Sequence, residues 1–352
     1  MSHEKTRRSS PCVGRLERLR PMISAIVPVW NGRELLLRLL DSLAAQTQPV
    51  DELLVVDNGS EDGAPEAARD RGARVISMGR NAGFAAAVNR GIEESRGDWL
   101  AVLNSDIVIA PDYLAKLLAA AQAGGAWFAT GKIFESGSNQ RIDGTFDVIC
   151  RGGTSWRVGS GRIDAAAFSA SRQIWSPPFT AVLLRTEVFR SAGLLENRFE
   201  SYLEDVDFGL RCAARELAGV YVPAAIAWHR GSATLGRWHA ETVRRIARNQ
   251  IFLLARHYPA PLLRRWFWAM ATAQILWGGL ALRHGAALGW LRGVLQGLRG
   301  FSAARASFAQ FDAVALQDLL RSNERIIRDI QTSTGFDRYW KLYFLLTGGG
   351  TN

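Results

Sequence analysis

Cysteine is scarce in this 352-residue chain: Cys12, Cys150 and Cys212 stand far apart, and none belongs to a Cys-x-x-Cys pair. That spacing makes a zinc ribbon improbable and implies no disulfide framework. So few thiols suit a reducing cytosol. The first twenty residues are basic but hold no apolar core. They are expected not to act as a secretory signal, and 1–21 reads as a basic flexible tail. Several catalytic signatures are missing too. There is no Walker loop, no Gly-x-Ser-x-Gly elbow and no His-Glu-x-x-His, and no Gly-x-Gly-x-x-Gly follows the first apolar run, which counts against a dehydrogenase. No internal repeat is visible. Acids nearly vanish between 236 and 300, where ten arginines face only Glu241.

What is present is a globular composition, 48% hydrophobic and 22% charged, in a chain long enough for one large domain plus an appendage. The net charge of +10 calls for a polyanionic partner or an anionic surface: a diphosphate, an anionic lipid or a nucleic acid. Ile23 to Val29 is a β-branched run that fits a buried strand, and apolar residues recur at helical spacing from Glu34 to Ala45. Strands are predicted again at 52–56, 73–78 and 99–103, with helices at 65–71 and 81–96 between them. This alternation predicts a doubly wound, mostly parallel α/β sheet with helices on both faces. Ligands gather at the carboxyl ends of such strands, and two of the four lead there into acids, Asp57 and Asp106. A helix at 112–123, a strand at 127–134, a short helix at 187–192, a helix from about 204 to 217 and a strand at 220–228 follow. Residues 135–175, rich in Gly and Ser, show no period and read as a long loop over the site.

Five motifs stand in order: Ser24-Ala25-Ile26-Val27-Pro28-Val29-Trp30-Asn31, Val55-Val56-Asp57-Asn58-Gly59-Ser60-Glu61-Asp62-Gly63, Asn81-Ala82-Gly83-Phe84, Leu103-Asn104-Ser105-Asp106 and Glu204-Asp205-Val206-Asp207. Each is weak alone. Together they resemble the motif series of family 2 glycosyltransferases, and within it the bacterial rhamnosyltransferase-like branch, over residues 22–235. The resemblance implies a GT-A catalytic domain there, binding a nucleotide-sugar donor with a divalent cation, Mg²⁺ or Mn²⁺. It implies that Asp57 accepts a hydrogen bond from the nucleobase, that Pro28 and Val29 line the base pocket, and that Asn31, Asn81, Gly83 and Asn104 also meet the donor. Asp106 would hold the metal, completed by His229 after the last strand. The family's usual Asp-x-Asp is here Asn104-Ser105-Asp106, so one carboxylate is offered and the phosphates supply further oxygens. Asp205 would be the general base of an inverting transfer, with Glu204 orienting it or the acceptor.

Plainer readings exist for each residue. Asp57 and Asp106 fit turns, His229 fits an ordinary strand end, and acids at 204–207 suit a helix N-terminus. Three acids in four positions are expected to raise one another's pKa, and Asp207 with Arg211 to form an i,i+4 ion pair.

Residues 236–352 read as a helical, basic, Trp-rich region, with helices at 241–258 and 312–330. Between them, 266–282 is an uncharged apolar run flanked by Arg264, Arg265 and Arg283. A spanning helix needs about 20 residues. Peripheral association with an anionic membrane surface at the cytoplasmic face is therefore expected, with one short membrane-embedded helix or a buried helical hairpin as alternatives. Nucleic acid is not expected, because the apolar run has no use there. The expected activity is inverting transfer of a sugar, foremost rhamnose from dTDP-rhamnose, to a lipid-linked saccharide in cell-surface polysaccharide synthesis. A UDP- or GDP-sugar-dependent transferase, or a non-catalytic nucleotide-sugar-binding scaffold, is the alternative. Oligomeric state is not legible.

Overall fold

The computed structural model describes residues 20–231, 236, 238–306 and 311–348. Cys12, Arg237 and residues 1–19 of the basic tail lie outside the described residues. The strands are β1 (Ile23–Val29), β2 (Glu52–Asp57), β3 (Arg74–Ser77), β4 (Trp99–Leu103), β5 (Ile107–Ile109), β6 (Phe128–Glu135), β7 (Ile142–Gly144), β8 (Asp147–Ile149), β9 (Ser155–Arg157), β10 (Arg172–Ile174), β11 (Ala181–Arg185) and β12 (Gly219–His229). The helices are α1 (Arg33–Ala44), α2 (Ala64–Asp70), α3 (Phe84–Glu94), α4 (Tyr113–Ala123), α5 (Val188–Ala192), α6 (Glu204–Ala213), α7 (Ala240–His257), α8 (Ala260–Arg265), α9 (Phe267–Arg283), α10 (Ala287–Ala306), α11 (Ala313–Thr334) and α12 (Arg338–Thr347).

The main sheet runs β10-β12-β6-β11-β4-β1-β2-β3, with β5 added to β12 and β7 to β6. Strands β3, β2, β1 and β4 are parallel. Because β11 lies antiparallel between β4 and β6, and β12 is parallel to β6, six strands share one direction. Their carboxyl ends, including those of β1, β2, β4 and β12, therefore meet along one edge. The mostly parallel, doubly wound sheet expected from the alternation is present, with β11 as its reversal.

Side-chain alternation builds the two faces. Ile23, Ala25, Val27 and Val29 of β1 join a cluster with Leu36, Leu39, Leu40 and Leu43 of α1 and with buried residues of α2 and α4. Ile26, Leu54 and Val56 point the other way, onto Ala85, Ala87, Val88 and Ile92 of α3. Burying each α1 leucine stabilises the layer by about 1.5–3 kcal/mol. Strands covered on both faces are apolar throughout, which is why β1 and β4 read as continuous runs.

One expectation needs correction, and one alternative is set aside. Residues 135–175 are not a long loop: they hold β7 to β10, and Phe146, Val148, Ile149, Val158 and Phe168 are buried in the core. Strands of three residues separated by tight Gly and Ser turns give too few positions to show a period. The run 266–282 is not a spanning segment either. At about 1.5 Å per residue, the 17 residues of α9 fall short of a hydrocarbon layer of about 30 Å. Among the described residues no helix is long and apolar enough to cross a membrane.

The C-terminal helices pack on the sheet domain rather than beside it. On α10, Gly289, Gly293 and Gly297 lie flush on α7, where a Cβ would meet Ala240, Arg244 and Ile251. The tip of the β8–β9 hairpin enters a polar socket between α7, α11 and α12. Arg151 pairs with Glu324 at 2.8 Å, the Gly152 N–H donates to the Tyr343 hydroxyl, and the Tyr258 hydroxyl donates to the Cys150 carbonyl.

Candidate active site

Three groups of side chains line the edge where the strand ends meet. The first lies at β1 and β2. Pro28 and Val29 are buried at the end of β1, in register with Val56 and Asp57 of β2. Asp57 is buried, and its Oδ1 accepts the Ser60 N–H at 2.9 Å, so it shapes the turn as the plainer reading required. Its Oδ2 makes no hydrogen bond among the described residues. Asn31, exposed and at φ 59°, donates its N–H to Ser60 Oγ and accepts the Glu61 N–H on its side chain, tying the two strand-end loops together.

Asn58 was not singled out from the sequence, yet it organises the neighbouring loop. Its Nδ2 donates to Asn81 Oδ1 and the Gly83 carbonyl, and its Oδ1 accepts the Ala82 N–H. Gly83 sits at φ 91°, where a Cβ would meet the Glu200 carbonyl oxygen at 2.9 Å. Only glycine lets this loop lie on the segment leading into α6. Residues 81–83 are therefore loop, not the helix start expected.

The second group joins residues far apart in sequence. Strand β5 pairs with the end of β12, His229 opposite Ile107, and this sets His229 Nε2 3.1 Å from Asp106 Oδ1. His229 Nδ1 lies 2.9 Å from Asp143 Oδ2, on β7 of the segment expected to be loop. Burial opposes a charge on this imidazole, but its hydrogen bonds to Asp106 and Asp143 outweigh it and raise the pKa to about 9. Asp106 and Asp143 occupy opposite ring nitrogens, so the three do not converge on one point, and among the described residues no group of three or more such ligands does. Asn104, just past the end of β4, donates its backbone N–H to the Thr180 carbonyl; its buried Oδ1 has no partner among the described residues.

The third group surrounds the start of α6. Glu204 and Asp205 are both buried. Asp205 Oδ1 accepts its neighbour Val206 N–H, and Oδ2 accepts Arg157 Nη2 at 2.9 Å. Arg157, on β9, also donates Nε and Nη2 to Asp147 of β8 and Nη1 to Thr180 Oγ1. Thr180 thus touches both Asn104 and the arginine that holds Asp205. Burial, then the Asp147 charge, lift Asp205 to about 6 against the pull of Arg157. Burial and the adjacent Asp205 push Glu204 well above the carboxylate range, and its Oε2 has no partner among the described residues. Asp207 departs from the expectation that all three acids raise one another. Despite full burial its pKa is lowered, because Arg211, His257 and Arg256 surround it. Its i,i+4 pair with Arg211 is present at 3.0 Å.

The segment presenting Glu204 and Asp205 is strained, with Glu200, Tyr202 and Leu203 all at positive φ. Each such residue costs on the order of 1 kcal/mol. Helix α7 holds it: buried Asn249 Nδ2 donates to the Phe199, Ser201 and Tyr202 carbonyls, and Arg248 binds Glu200 and the Arg198 and Phe199 carbonyls. A basic helix read from its charge as part of a surface region is in fact a support for the site.

The sequence model of Glycosyl transferase family 2 matches residues 24–188. A relative from Mycobacterium tuberculosis, N-acetylglucosaminyl-diphospho-decaprenol L-rhamnosyltransferase, is 32% identical over 274 residues, covering 70% of this chain and 86% of that protein. The solved structure of GalNAc-T7 with UDP, GalNAc and Mn²⁺ superposes with a TM-score of 0.60 at 13% identity, over 89% of this chain and 58% of that one. The mannosyltransferase PcManGT from Pyrobaculum calidifontis, in complex with GDP-Man and Mn²⁺, gives 0.50 at 16% identity, over 93% and 86%. These likenesses show the fold, which is GT-A-like. The family model and the relative together define a nucleotide-sugar-dependent glycosyltransferase. The chain belongs to glycosyl transferase family 2.

Proposed function

We propose that this enzyme transfers a sugar with inversion from a nucleoside diphosphate to a lipid-linked saccharide at the cytoplasmic face of a membrane, in cell-surface polysaccharide synthesis. Rhamnose from dTDP-rhamnose is the leading donor, on the strength of the mycobacterial rhamnosyltransferase. The observation that carries the reading is Asp205, a buried carboxyl in the first turn of α6 lifted to about 6, at the edge where Asp57 closes β2 and Asp106 follows β4. A protein that only bound the donor has no use for such a group, so the scaffold alternative loses its footing.

The division of labour follows the three groups. Pro28, Val29, Asn31 and the free oxygen of Asp57 meet the nucleobase and ribose, while Asn81, Gly83 and Asn104 border the diphosphate and sugar. Asp106 and His229 would hold a divalent cation, Mg²⁺ or Mn²⁺, with the cation displacing the proton that His229 carries in its hydrogen bond to Asp106. A carboxylate oxygen faces an imidazole nitrogen at 3.1 Å, and Asp143 holds the other ring nitrogen, the usual outer support of a metal-bound histidine. When bound, the cation would neutralise charge on the diphosphate. Asp205 takes the proton of the acceptor hydroxyl as that oxygen bonds to the anomeric carbon and the sugar–phosphate bond breaks. Arg157 and Asp147 hold Asp205 in place, and Glu204, with an unpaired oxygen, meets the acceptor. Residues 22–235 form the catalytic domain and 236–352 the helical region that supports it.

The test is transfer of labelled sugar from dTDP-rhamnose, UDP-sugars and GDP-sugars to membrane lipid extract with Mn²⁺. One donor is expected to support transfer, and Asp106→Ala to lower it on the order of a hundredfold. Full activity of Asp106→Ala removes the metal assignment. Transfer from no donor by folded protein removes the function.

A further inference from the structure

The helical region leaves an apolar surface uncovered. On α10, Gly289, Gly293, Gly297 and Ala304 are buried, the first three against α7, whereas Leu288, Leu291, Leu295 and Leu298 are exposed on the opposite side. Their spacing of three and four makes one stripe along the helix. Helix α9 repeats the pattern: Ala269, Met270 and Ala273 face inward, while Trp268, Ile275 and Leu282, each seven apart, face solvent beside Phe267, which is 69% exposed. On α12 the stripe is Leu342, Leu345 and Leu346, with Leu345 at 74%. The α9 and α12 stripes are neighbours, since Trp268 Nε1 donates to the Leu346 carbonyl. Soluble surfaces scatter such side chains singly; rows of them on adjoining helices mark a docking face.

Charge says what docks there. From Ala260 to Ala306, through α8, α9 and α10, there is no acidic residue. Arg264, Arg283, Arg292 and Arg299 are exposed on these helices and form no ion pair among the described residues. A second copy of the chain would bring the same uncompensated arginines against these, whereas an anionic lipid surface compensates them all. Since no described helix can cross a bilayer, the face must lie along it, apolar stripes in the acyl boundary and guanidinium groups among the phosphates.

We propose that α9, α10 and α12 form a monotopic docking face for the anionic leaflet of a membrane, with Phe267, Trp268, Leu291, Leu295 and Leu345 as its apolar anchors and Arg283, Arg292 and Arg299 as its headgroup contacts. This deepens the reading of a membrane-linked acceptor and rests on it for its biological setting. Its test does not, because the vesicles used hold neither acceptor nor donor.

The full chain is sedimented with vesicles of phosphatidylcholine alone and with added phosphatidylglycerol. It is expected to partition onto the anionic vesicles and to be released by salt. The exposed pair Leu291→Glu and Leu295→Glu should weaken partitioning by more than about tenfold, and Arg292→Gln with Arg299→Gln by roughly fivefold per residue. Calorimetric nucleotide binding by both variants, unchanged from the parent, shows that they are folded and that donor binding stands or falls separately. Absence of binding to anionic vesicles overturns the proposal, as does equal binding to neutral ones. A solution dimer that Leu291→Glu with Leu295→Glu converts to monomer overturns it too, making the face an interface between copies.

Discussion

Replacing Asp205 by Asn is expected to lower turnover by about 10²- to 10⁴-fold, the usual contribution of a positioned general base, with nucleotide-sugar affinity nearly unchanged. The amide keeps the shape, but its single oxygen can accept from Val206 or from Arg157 and not from both, and it cannot take the acceptor's proton. The pH profile gives an independent check. The base must be ionised, and its pKa is about 6, so the wild-type kcat/KM should climb with pH through about 6 and level off above it. Below that range activity falls because the carboxyl is protonated; burial and the Asp205 charge raise the adjacent Glu204 as well. Residual activity in the Asn variant should lose this step. Wild-type turnover in the variant, or a profile flat from pH 5 to 8 in the parent, would remove Asp205 from the role.

The largest expected effect on stability is at Asp207. Its carboxylate is fully buried and binds Arg211 at 3.0 Å, Arg256 at 2.8 Å and His257 at 2.8 Å, joining α6 to α7. Asp207→Asn removes the counter-charge shared by two buried guanidinium groups, Arg211 and Arg256, although Arg256 keeps its pair with Glu196. Breaking a buried ion network in this way costs about 3–5 kcal/mol. The sign with pH follows from the depressed pKa. The carboxylate's stabilisation is complete above the ordinary carboxylate range and is lost as the pH falls below it. Urea unfolding at pH 7 should therefore show the full deficit, and the gap between parent and variant should narrow in acid. A variant as stable as the parent at pH 7 would show that the network contributes nothing net.

How much of this was written in the sequence differs by element. Strands β1, β2 and β4 announced themselves because both of their faces are covered, so an unbroken apolar run is the only solution. α1 did so because Leu36, Leu39, Leu40 and Leu43 repeat at helical spacing. The strand-end acids followed from position alone. Asp143, Asp147 and Arg157 were illegible for a physical reason. They ride on strands of three residues, and their partners His229 and Asp205 lie 86 and 48 positions away. No local pattern encodes such pairings. Arg248 and Asn249 were hidden differently, by lying in a helix whose arginines read as solvated charge. The signal that could have found them is Asn249-Gln250, an amide pair in the middle of an otherwise amphipathic helix, where polar side chains need buried partners.

The central claim is that the strand-end edge binds a nucleotide sugar with a divalent cation. Calorimetric titration of dTDP-, UDP- and GDP-sugars into the full chain, with and without Mn²⁺, tests it most directly. The account predicts that one dTDP- or UDP-sugar binds, that binding weakens at least about tenfold without the cation, and that Asp57→Ala weakens it as well. Failure of every nucleotide sugar to bind folded protein in the presence of Mn²⁺ would contradict the account and return Asp57 and Asp106 to the status of turn residues.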